Sequence, residues 1–272
     1  MTLTNEQNYL KLVALVIASG YKSSSRAGNT YSLPGQSINF SLHGNTLPLL
    51  TTRRMFPAGV IGELAAFVRG AEDLATFRKF GCNYWDANAA NWAPNKGKPE
   101  SEWQIGKSYG SLWRNFHGVD QLGGVIEQLQ INPDSRRHVV TAWDPSAEAC
   151  LPSCHIMFQF YVRAGFLHTH MYMRSVDLCV GLPSDALLYA VLANLVARET
   201  RLRVGQLTFS FGDAHVYENH LEQFINVQAR RDPLPAPTLA VADNAKVLTF
   251  EPDDIEIYDY EYHPAIKYAF NA

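Results

Sequence analysis

The sequence predicts an α+β fold in which helices pack on a mixed β-sheet around one long buried helix. Three patterns indicate this. Residues 183–200 are apolar around almost the whole circumference of a predicted helix, as expected for a central one. Residues 155–163 and 166–175 predict two strands of a β-hairpin around Ala164-Gly165. The regular strand–helix–strand alternation of a doubly wound sheet is missing.

The N-terminal third predicts a helix, a strand and a second helix. The first helix begins at the capping residue Thr4 and ends at Gly20. Residues 31–42 alternate loosely between apolar and polar and predict one strand. Residues 57–70 place their large apolar side chains on one helical face and predict a helix that ends at a glycine.

The rest of the chain completes the α+β pattern. Residues 86–103, rich in Asn, Pro and Lys, predict a surface loop. A helix over 119–130 and a strand over 137–144 follow, and strand, helix and short strands continue to Tyr262. With no repeat, low-complexity tract or long linker, we expect one catalytic domain over residues 1–272.

Composition and charge exclude several classes of protein. A net charge of −3 among 272 residues gives no basic face, so nucleic acid is not an expected partner. The four cysteines match neither a metal pattern nor a disulfide framework, which favours a reduced, cytoplasmic setting and no metal. The apolar run at 12–18 is too short to span a membrane and lacks the basic flank of a signal peptide.

A cysteine stands just before the predicted hairpin. Cys154 lies in Leu-Pro-Ser-Cys-His at 151–155, with Phe-Gln-Phe-Tyr-Val at 158–162. A lone cysteine beside an apolar strand is most often a buried hydrophobic residue, and neighbours in a strand point to opposite faces. A reactive thiolate needs cationic neighbours that lower its pKa. Arg174 is the best candidate, followed by Arg136 and Arg137.

Other polar residues occur in positions that suit binding or proton transfer. Several arginines that converge can hold a phosphate monoester, because each guanidinium group donates two parallel hydrogen bonds. Glu63 is a carboxylate on an otherwise apolar helix, where burial raises the pKa toward neutrality and suits proton transfer. His215 and Tyr217 alternate on a predicted strand and face the same way, which by itself predicts only a half-buried strand face.

The motif at 151–162 resembles the nucleophile segment of thymidylate synthases, and the resemblance, strongest from Asp134 to His220, covers roughly residues 5–268. It implies the fold of that family, a homodimer, a pyrimidine nucleoside monophosphate as substrate and 5,10-methylenetetrahydrofolate as co-substrate. It also implies that the Cys154 thiolate adds to C6 of the pyrimidine. It implies that Glu63 and Tyr109 are catalytic, and that His215 and Tyr217 bind the sugar. The phosphate-binding residues that it implies are Arg26, Arg136, Arg137, Arg174 and Ser175, with Arg136 and Arg137 contributed by the partner subunit. Folate binding is implied for Trp85, Asp177 and Gly181.

Asp185 stands where the family has an asparagine that reads uracil. Cytosine reverses the donor and the acceptor that uracil presents, and a carboxyl group accepts from the cytosine amine and shares a proton with N3. The predicted helix start at Pro183 favours the ionised carboxylate. Aspartate at this position is similar to the deoxycytidylate hydroxymethylases of phages.

The chain also departs from the family around the folate pocket. Phe56 replaces a histidine, Asn88 replaces a second tryptophan, Ser184 replaces an aromatic residue, and the tail at 267–272 differs. These changes predict a looser pocket that admits water, so that hydroxymethyl rather than methyl is the product. The alternatives are a dCMP methyltransferase, a CMP hydroxymethylase, a thymidylate synthase acting on dUMP, and a silent homologue that binds nucleotide or RNA.

Overall fold

The predicted central helix is present as α7 (Gly181–Glu199), and from Ala186 to Ala197 every residue is buried. The structure, a computed structural model, describes residues 4–25 and 27–271. The other helices are α1 (Asn5–Ser19), α2 (Pro57–Val68), α3 (Leu74–Lys79), α4 (Asp86–Asn91), α5 (Gly110–Arg114), α6 (Gln121–Ile131) and α8 (Leu221–Asn226). The strands are β1 (Tyr21–Ser25), β2 (Gly28–Pro34), β3 (Ser37–Ser41), β4 (Val139–Thr141), β5 (His155–Arg163), β6 (Phe166–Asp177), β7 (Arg203–Tyr217), β8 (Thr238–Val241) and β9 (Ile255–Tyr258).

The main sheet is mixed and carries seven strands in the described part of the chain. Its order is β1-β2-β7-β6-β5-β4, and β3 also pairs with β7. Only the β6–β7 pair is parallel; the other pairs are antiparallel. Helix α7 packs against β6, β7 and α2. Strands β8 and β9 form a separate two-stranded sheet. The predicted α+β class and the central helix are confirmed.

Local sequence signals placed several elements well. Thr4 caps α1 in a reciprocal arrangement with Gln7, and Gly20 ends the helix, as predicted. The hairpin of β5 and β6 turns at Ala164-Gly165, also as predicted. Helix α6 starts at Gln121 because the Asp120 side chain accepts the Gly123 N–H, so the predicted start at 119 was two residues early.

Three further predictions differ from the structure. Residues 31–42 contain parts of two strands, because Gly35 adopts a left-handed φ of 69° that turns the chain between β2 and β3. The predicted surface loop at 86–103 contains α4 and a buried residue, Asn95, whose amide bonds to the Ala89 and Gln104 carbonyls. The strand predicted over 137–144 is reduced to β4.

A close backbone contact sets the position of α2. A Cβ atom on Gly62 would lie 2.0 Å from the Phe80 carbonyl oxygen, so only glycine lets the helix approach that segment. The next residue, Glu63, lines a cavity together with Asp185 of α7. None of the described helices combines the length and apolarity that a membrane-spanning helix requires.

Candidate active site

One cavity of about 780 Å³ brings together most of the predicted site residues. This volume lies within the range of small-molecule binding sites. The predicted residues that line it are Glu63, Trp85, Tyr109, Cys154, Arg174, Ser175, Asp177, Gly181, Asp185, His215 and Tyr217. Arg136 and Arg137 are exposed and do not line it, and Arg26 lies outside the described residues.

The Cys154 thiol lies beside a guanidinium group, as predicted, but its pKa is not lowered. Arg174 Nη2 is 3.6 Å from Sγ, and the same side chain donates to the Ser153 and Pro152 carbonyls. Burial raises the pKa of the Cys154 thiol, and the Asp185 charge adds to this; both outweigh the attraction of Arg174. The prediction that cationic neighbours lower the pKa of Cys154 below its ordinary value is therefore wrong.

Tyr109 holds the backbone of Cys154. Its phenol oxygen accepts the Cys154 backbone N–H at 3.0 Å, and its ring stacks on Phe67. Tyr109 has φ 45° and ψ −111°, a conformation that costs energy in a non-glycine residue and is found mainly at functional sites. A Cβ on the following Gly110 would lie 2.2 Å from the Phe67 carbonyl oxygen, so the close packing of α5 on α2 fixes this turn.

Glu63 has the raised pKa that its apolar helix predicted. Part of its side chain opens to the cavity, yet its carboxyl group is largely desolvated, and burial followed by the charge of Asp185 raises its pKa to about 7. Trp85 Nε1 donates to Glu63 Oε1 at 2.8 Å and opposes that shift. A carboxyl group with a pKa near neutrality can both accept and release a proton at neutral pH.

Asp185 lies at the end of a chain of hydrogen bonds that the sequence did not reveal. His155 Nε2 is 3.1 Å from Asp185 Oδ1, and His155 Nδ1 is 3.1 Å from the Tyr189 hydroxyl. In the neutral imidazole, Tyr189 donates to Nδ1 and Nε2–H donates to the carboxylate. Because α7 begins at Gly181, Asp185 lies beyond the first helical turn, where the helix dipole is weak. His155, and not the helix N-terminus, supplies the polar contact to this carboxyl group.

Signals for His155 and Tyr189 existed in the sequence. Tyr189 follows Asp185 by four residues, so both lie on one face of α7. The alternation argument placed His155 on the face opposite Cys154. Cys154 in fact precedes β5, and the register shifts between His155 and Met157, so both side chains reach the cavity.

Positions at which the chain departs from the family pattern lie on the cavity wall. Phe56, Asn88 and Ser184 line it, as do Phe270 and Asn271 of the tail. The Asn271 and Asn219 side-chain amides exchange hydrogen bonds of 3.1 and 3.3 Å, which hold the tail over the cavity. The carboxyl group of Asp177 accepts the Cys179 N–H at 2.8 Å and faces the same space.

Comparison with known proteins agrees with this geometry. Residues 7–272 match the family model described as thymidylate synthase. The chain belongs to the thymidylate synthase family. It is 38% identical to thymidylate synthase 1/2 of Encephalitozoon cuniculi, over 98% of this chain and 97% of that protein. It is 35% identical to the thymidylate synthase of Mycoplasma genitalium, over 96% and 98%. It is also 38% identical to the bifunctional dihydrofolate reductase-thymidylate synthase of Leishmania major, over 96% of this chain and 54% of that protein.

Members of the thymidylate synthase family are folate-dependent one-carbon transferases that act on pyrimidine nucleotides. Their co-substrate is methylenetetrahydrofolate, and they need no metal. The cavity suits both substrates of such a reaction. It combines a cysteine and an arginine at one side with the apolar walls of Val60, Phe67 and Leu187. The predicted enzyme class and co-substrate are confirmed.

The pKa of Glu63 predicts a pH-dependent change in stability. The folded protein binds this proton more tightly than the unfolded chain, so the stabilising contribution is complete below pH 4.5 and is lost as the pH rises to about 7. Glu63→Gln keeps an acceptor for Trp85 and has no charge to bury. Relative to that of the unsubstituted protein, the free energy of unfolding of this variant should increase by about 2 to 3 kcal/mol between pH 5 and pH 8.

Urea unfolding at both pH values measures this difference. Glu127→Gln, which changes an exposed residue, is the control. Equal changes in the two variants would contradict the burial of Glu63.

Proposed function

We propose that the protein transfers the one-carbon unit of 5,10-methylenetetrahydrofolate to C5 of a cytidine monophosphate, with dCMP preferred to CMP, and forms the 5-hydroxymethyl nucleotide. The observation that carries the choice of base is the contact between His155 and Asp185. An imidazole N–H engages Oδ1, and a carboxylate only accepts hydrogen bonds.

The unoccupied acceptor capacity of Asp185 suits cytosine. Asp185 lines the cavity, and among the described residues no hydrogen bond or ion pair engages its Oδ2. An exocyclic amine donates to such an oxygen, whereas O4 of uracil would face it with a second acceptor. A carboxylate also offers a site for a proton shared with N3 of cytosine. That proton makes C6 more electrophilic toward Cys154.

The proposed reaction balances with one water molecule. The Cys154 thiolate forms a bond to C6, and C5 then forms a bond to the one-carbon unit. Glu63 accepts the C5 proton through water, and tetrahydrofolate departs to leave an exocyclic methylene on the nucleotide. Water adds to that carbon, and the C6–Sγ bond breaks. The sum is dCMP, methylenetetrahydrofolate and water giving 5-hydroxymethyl-dCMP and tetrahydrofolate. Asn88 and Ser184 support water entry, because both line the cavity where the family has aromatic residues.

The binding residues divide between two ends of the nucleotide. Arg174 and Ser175, with Arg26, bind the phosphate, and the His215–Tyr217 pair binds the sugar hydroxyl. Ser175 Oγ lies 3.5 Å from His215 Nδ1, so the two groups adjoin. Trp85, Asp177 and Gly181 bind the folate side.

A product assay tests the proposal. Incubation of dCMP, CMP and dUMP with methylenetetrahydrofolate should give a dCMP product heavier by one CH₂O, with its oxygen from solvent. Hydride transfer would instead oxidise the folate, so we expect no dihydrofolate absorbance during turnover. Stoichiometric dihydrofolate with a methylated cytosine would identify a methyltransferase. Turnover of dUMP alone would identify a thymidylate synthase, and binding without turnover would identify a silent homologue.

We propose a homodimer in which Arg136 and Arg137 complete the partner's phosphate site. The sheet face opposite α7 carries exposed Met157 and Tyr172, which a second subunit would cover. The double arginine lies next to β4, at the edge of that face, and both side chains are exposed.

Mixed dimers test the shared site. Arg136→Glu and Cys154→Ala proteins should each be inactive, and subunit exchange between them should restore part of the activity, because one site of the hybrid keeps both residues. A mixture of Cys154→Ala with Arg174→Glu is the control: both residues belong to the same subunit's part of the site, so neither site of that hybrid keeps both, and no activity should return. Exchange without rescue in the first mixture would place Arg136 in its own subunit's site.

A further inference from the structure

Three potential metal ligands converge at one edge of the cavity. Asp177 ends β6, Cys179 lies between β6 and α7, and His220 lies in the turn after β7. One ligand atom from each lies within 4.8 Å of the other two. Cys179 and His220 are completely buried, and Asp177 lines the cavity. Carboxylate, thiolate and imidazole are ligands that Zn²⁺ accepts.

His220 carries a buried nitrogen without a hydrogen bond. Its Nε2 lies 2.7 Å from the Ala269 carbonyl oxygen and 3.1 Å from the Asn271 amide nitrogen. The carbonyl oxygen only accepts, so a proton on Nε2 satisfies the shorter of these two contacts. Nδ1 has no hydrogen-bond partner among the described residues, and its nearest acidic oxygen, Asp177 Oδ1, is 3.7 Å away. The His220 ring packs edge to face against the rings of Tyr217 and Tyr268, and these contacts fix the orientation of the imidazole. An imidazole that donates one N–H to a carbonyl and leaves the other nitrogen free is arranged as in metal sites.

Geometry and charge agree with a bound dication. Tetrahedral Zn²⁺ with ordinary bond lengths separates N, O and S ligands by about 3.4 to 3.6 Å. The three ligand atoms lie within 4.8 Å of one another, so binding requires them to approach by at most about 1.4 Å. The Cys179 thiol loses its proton to solvent on binding, and thiolate and carboxylate then neutralise the dication. The Arg53 guanidinium group, which donates to the Cys179 carbonyl at 2.7 Å, therefore faces a neutral complex.

We propose that Asp177, Cys179 and His220 form a three-ligand site for Zn²⁺, with the fourth position facing the cavity. Bound Zn²⁺ plays no part in catalysis, because the family needs no metal. It acts instead as an inhibitor. It engages Asp177, one of the residues assigned to folate binding, so metal and folate exclude each other. This competition depends on the proposed function, whereas the metal binding does not.

Cobalt spectroscopy of the full chain tests the site without any assay of activity. Co²⁺ should give thiolate charge-transfer and tetrahedral d–d bands that Zn²⁺ abolishes on displacement. Cys179→Ser should remove the charge-transfer band, and Cys82→Ser, which changes another buried cysteine, should retain it. Cys154→Ser should also retain it, because the nucleophile is not a ligand. Absence of the band in the unsubstituted protein, or its persistence in Cys179→Ser, would overturn the proposal.

Two further measurements keep the test decisive. If Cys179→Ser does not fold, Cys179→Ala replaces it, with the melting temperature as a check on folding. Zn²⁺ should raise the melting temperature of the unsubstituted protein and leave that of a folded Cys179 variant unchanged; equal increases would indicate binding elsewhere. Zn²⁺ should raise the apparent KM for methylenetetrahydrofolate. A band with an unchanged KM would retain the metal site and reject the competition.

Discussion

Cys154→Ala should reduce turnover at least about a thousandfold, the scale on which enzymes lose activity when a covalent nucleophile is removed. Nucleotide binding should be largely kept, because Arg174 and Ser175 remain. Steady-state kinetics and isothermal titration with dCMP measure the two effects separately. Cys150→Ala is the matched control: Cys150 lies four residues away, outside the cavity lining, and burial raises the pKa of its thiol to about 11.

The pH dependence of the unsubstituted enzyme bears on the same residue. Because the pKa of the Cys154 thiol is raised, the thiol is mostly protonated at neutral pH before substrate binds. The thiolate fraction therefore increases with pH, and kcat/KM should increase on the alkaline side until other groups titrate. Near-normal turnover in Cys154→Ala would reject the covalent mechanism.

Asp185→Asn should shift the preference from dCMP toward dUMP by roughly tenfold to a hundredfold, the effect of one buried polar pair left unsatisfied. The amide can accept from N3–H of uracil and donate to O4, and in that same orientation it presents like groups to cytosine. The substitution also removes a charge that raises the pKa of Glu63, so that pKa should fall. The measurement is kcat/KM for both nucleotides in both proteins.

Asp185→Ala separates recognition from general damage. It removes the carboxylate without supplying an amide, so it should weaken the use of both nucleotides and not invert the preference. If the unsubstituted enzyme already prefers dUMP, the inference from Asp185 fails. If Asp185→Asn loses dCMP activity with no gain toward dUMP, Asp185 supports catalysis but does not read the base.

Features that depend only on residues close together in the sequence could be predicted from the sequence. The Thr4 cap, the hairpin turn at Ala164-Gly165 and the apolar girth of α7 are each encoded within a short segment. The burial of Glu63 followed from the apolar face of its own helix. The resemblance added the family, the enzyme class and the set of residues to examine, most of which the fold brings to one cavity.

Only the tertiary structure decided how those residues act on one another. Hydrogen bonds between β5 and α7 join His155 to Asp185, and no local pattern contains that pairing. The pKa of Cys154 is the balance of burial, Arg174 and Asp185, which come from different elements, so a favourable arginine in the sequence could not give its sign. Likewise, α2 can approach Phe80 only where Gly62 removes a side chain. The sequence by itself determined the helices, the strands and the types of reactive side chain that they carry. Packing between distant segments decided the pKa values of those side chains, because electrostatic energies depend on separation in space and not along the chain.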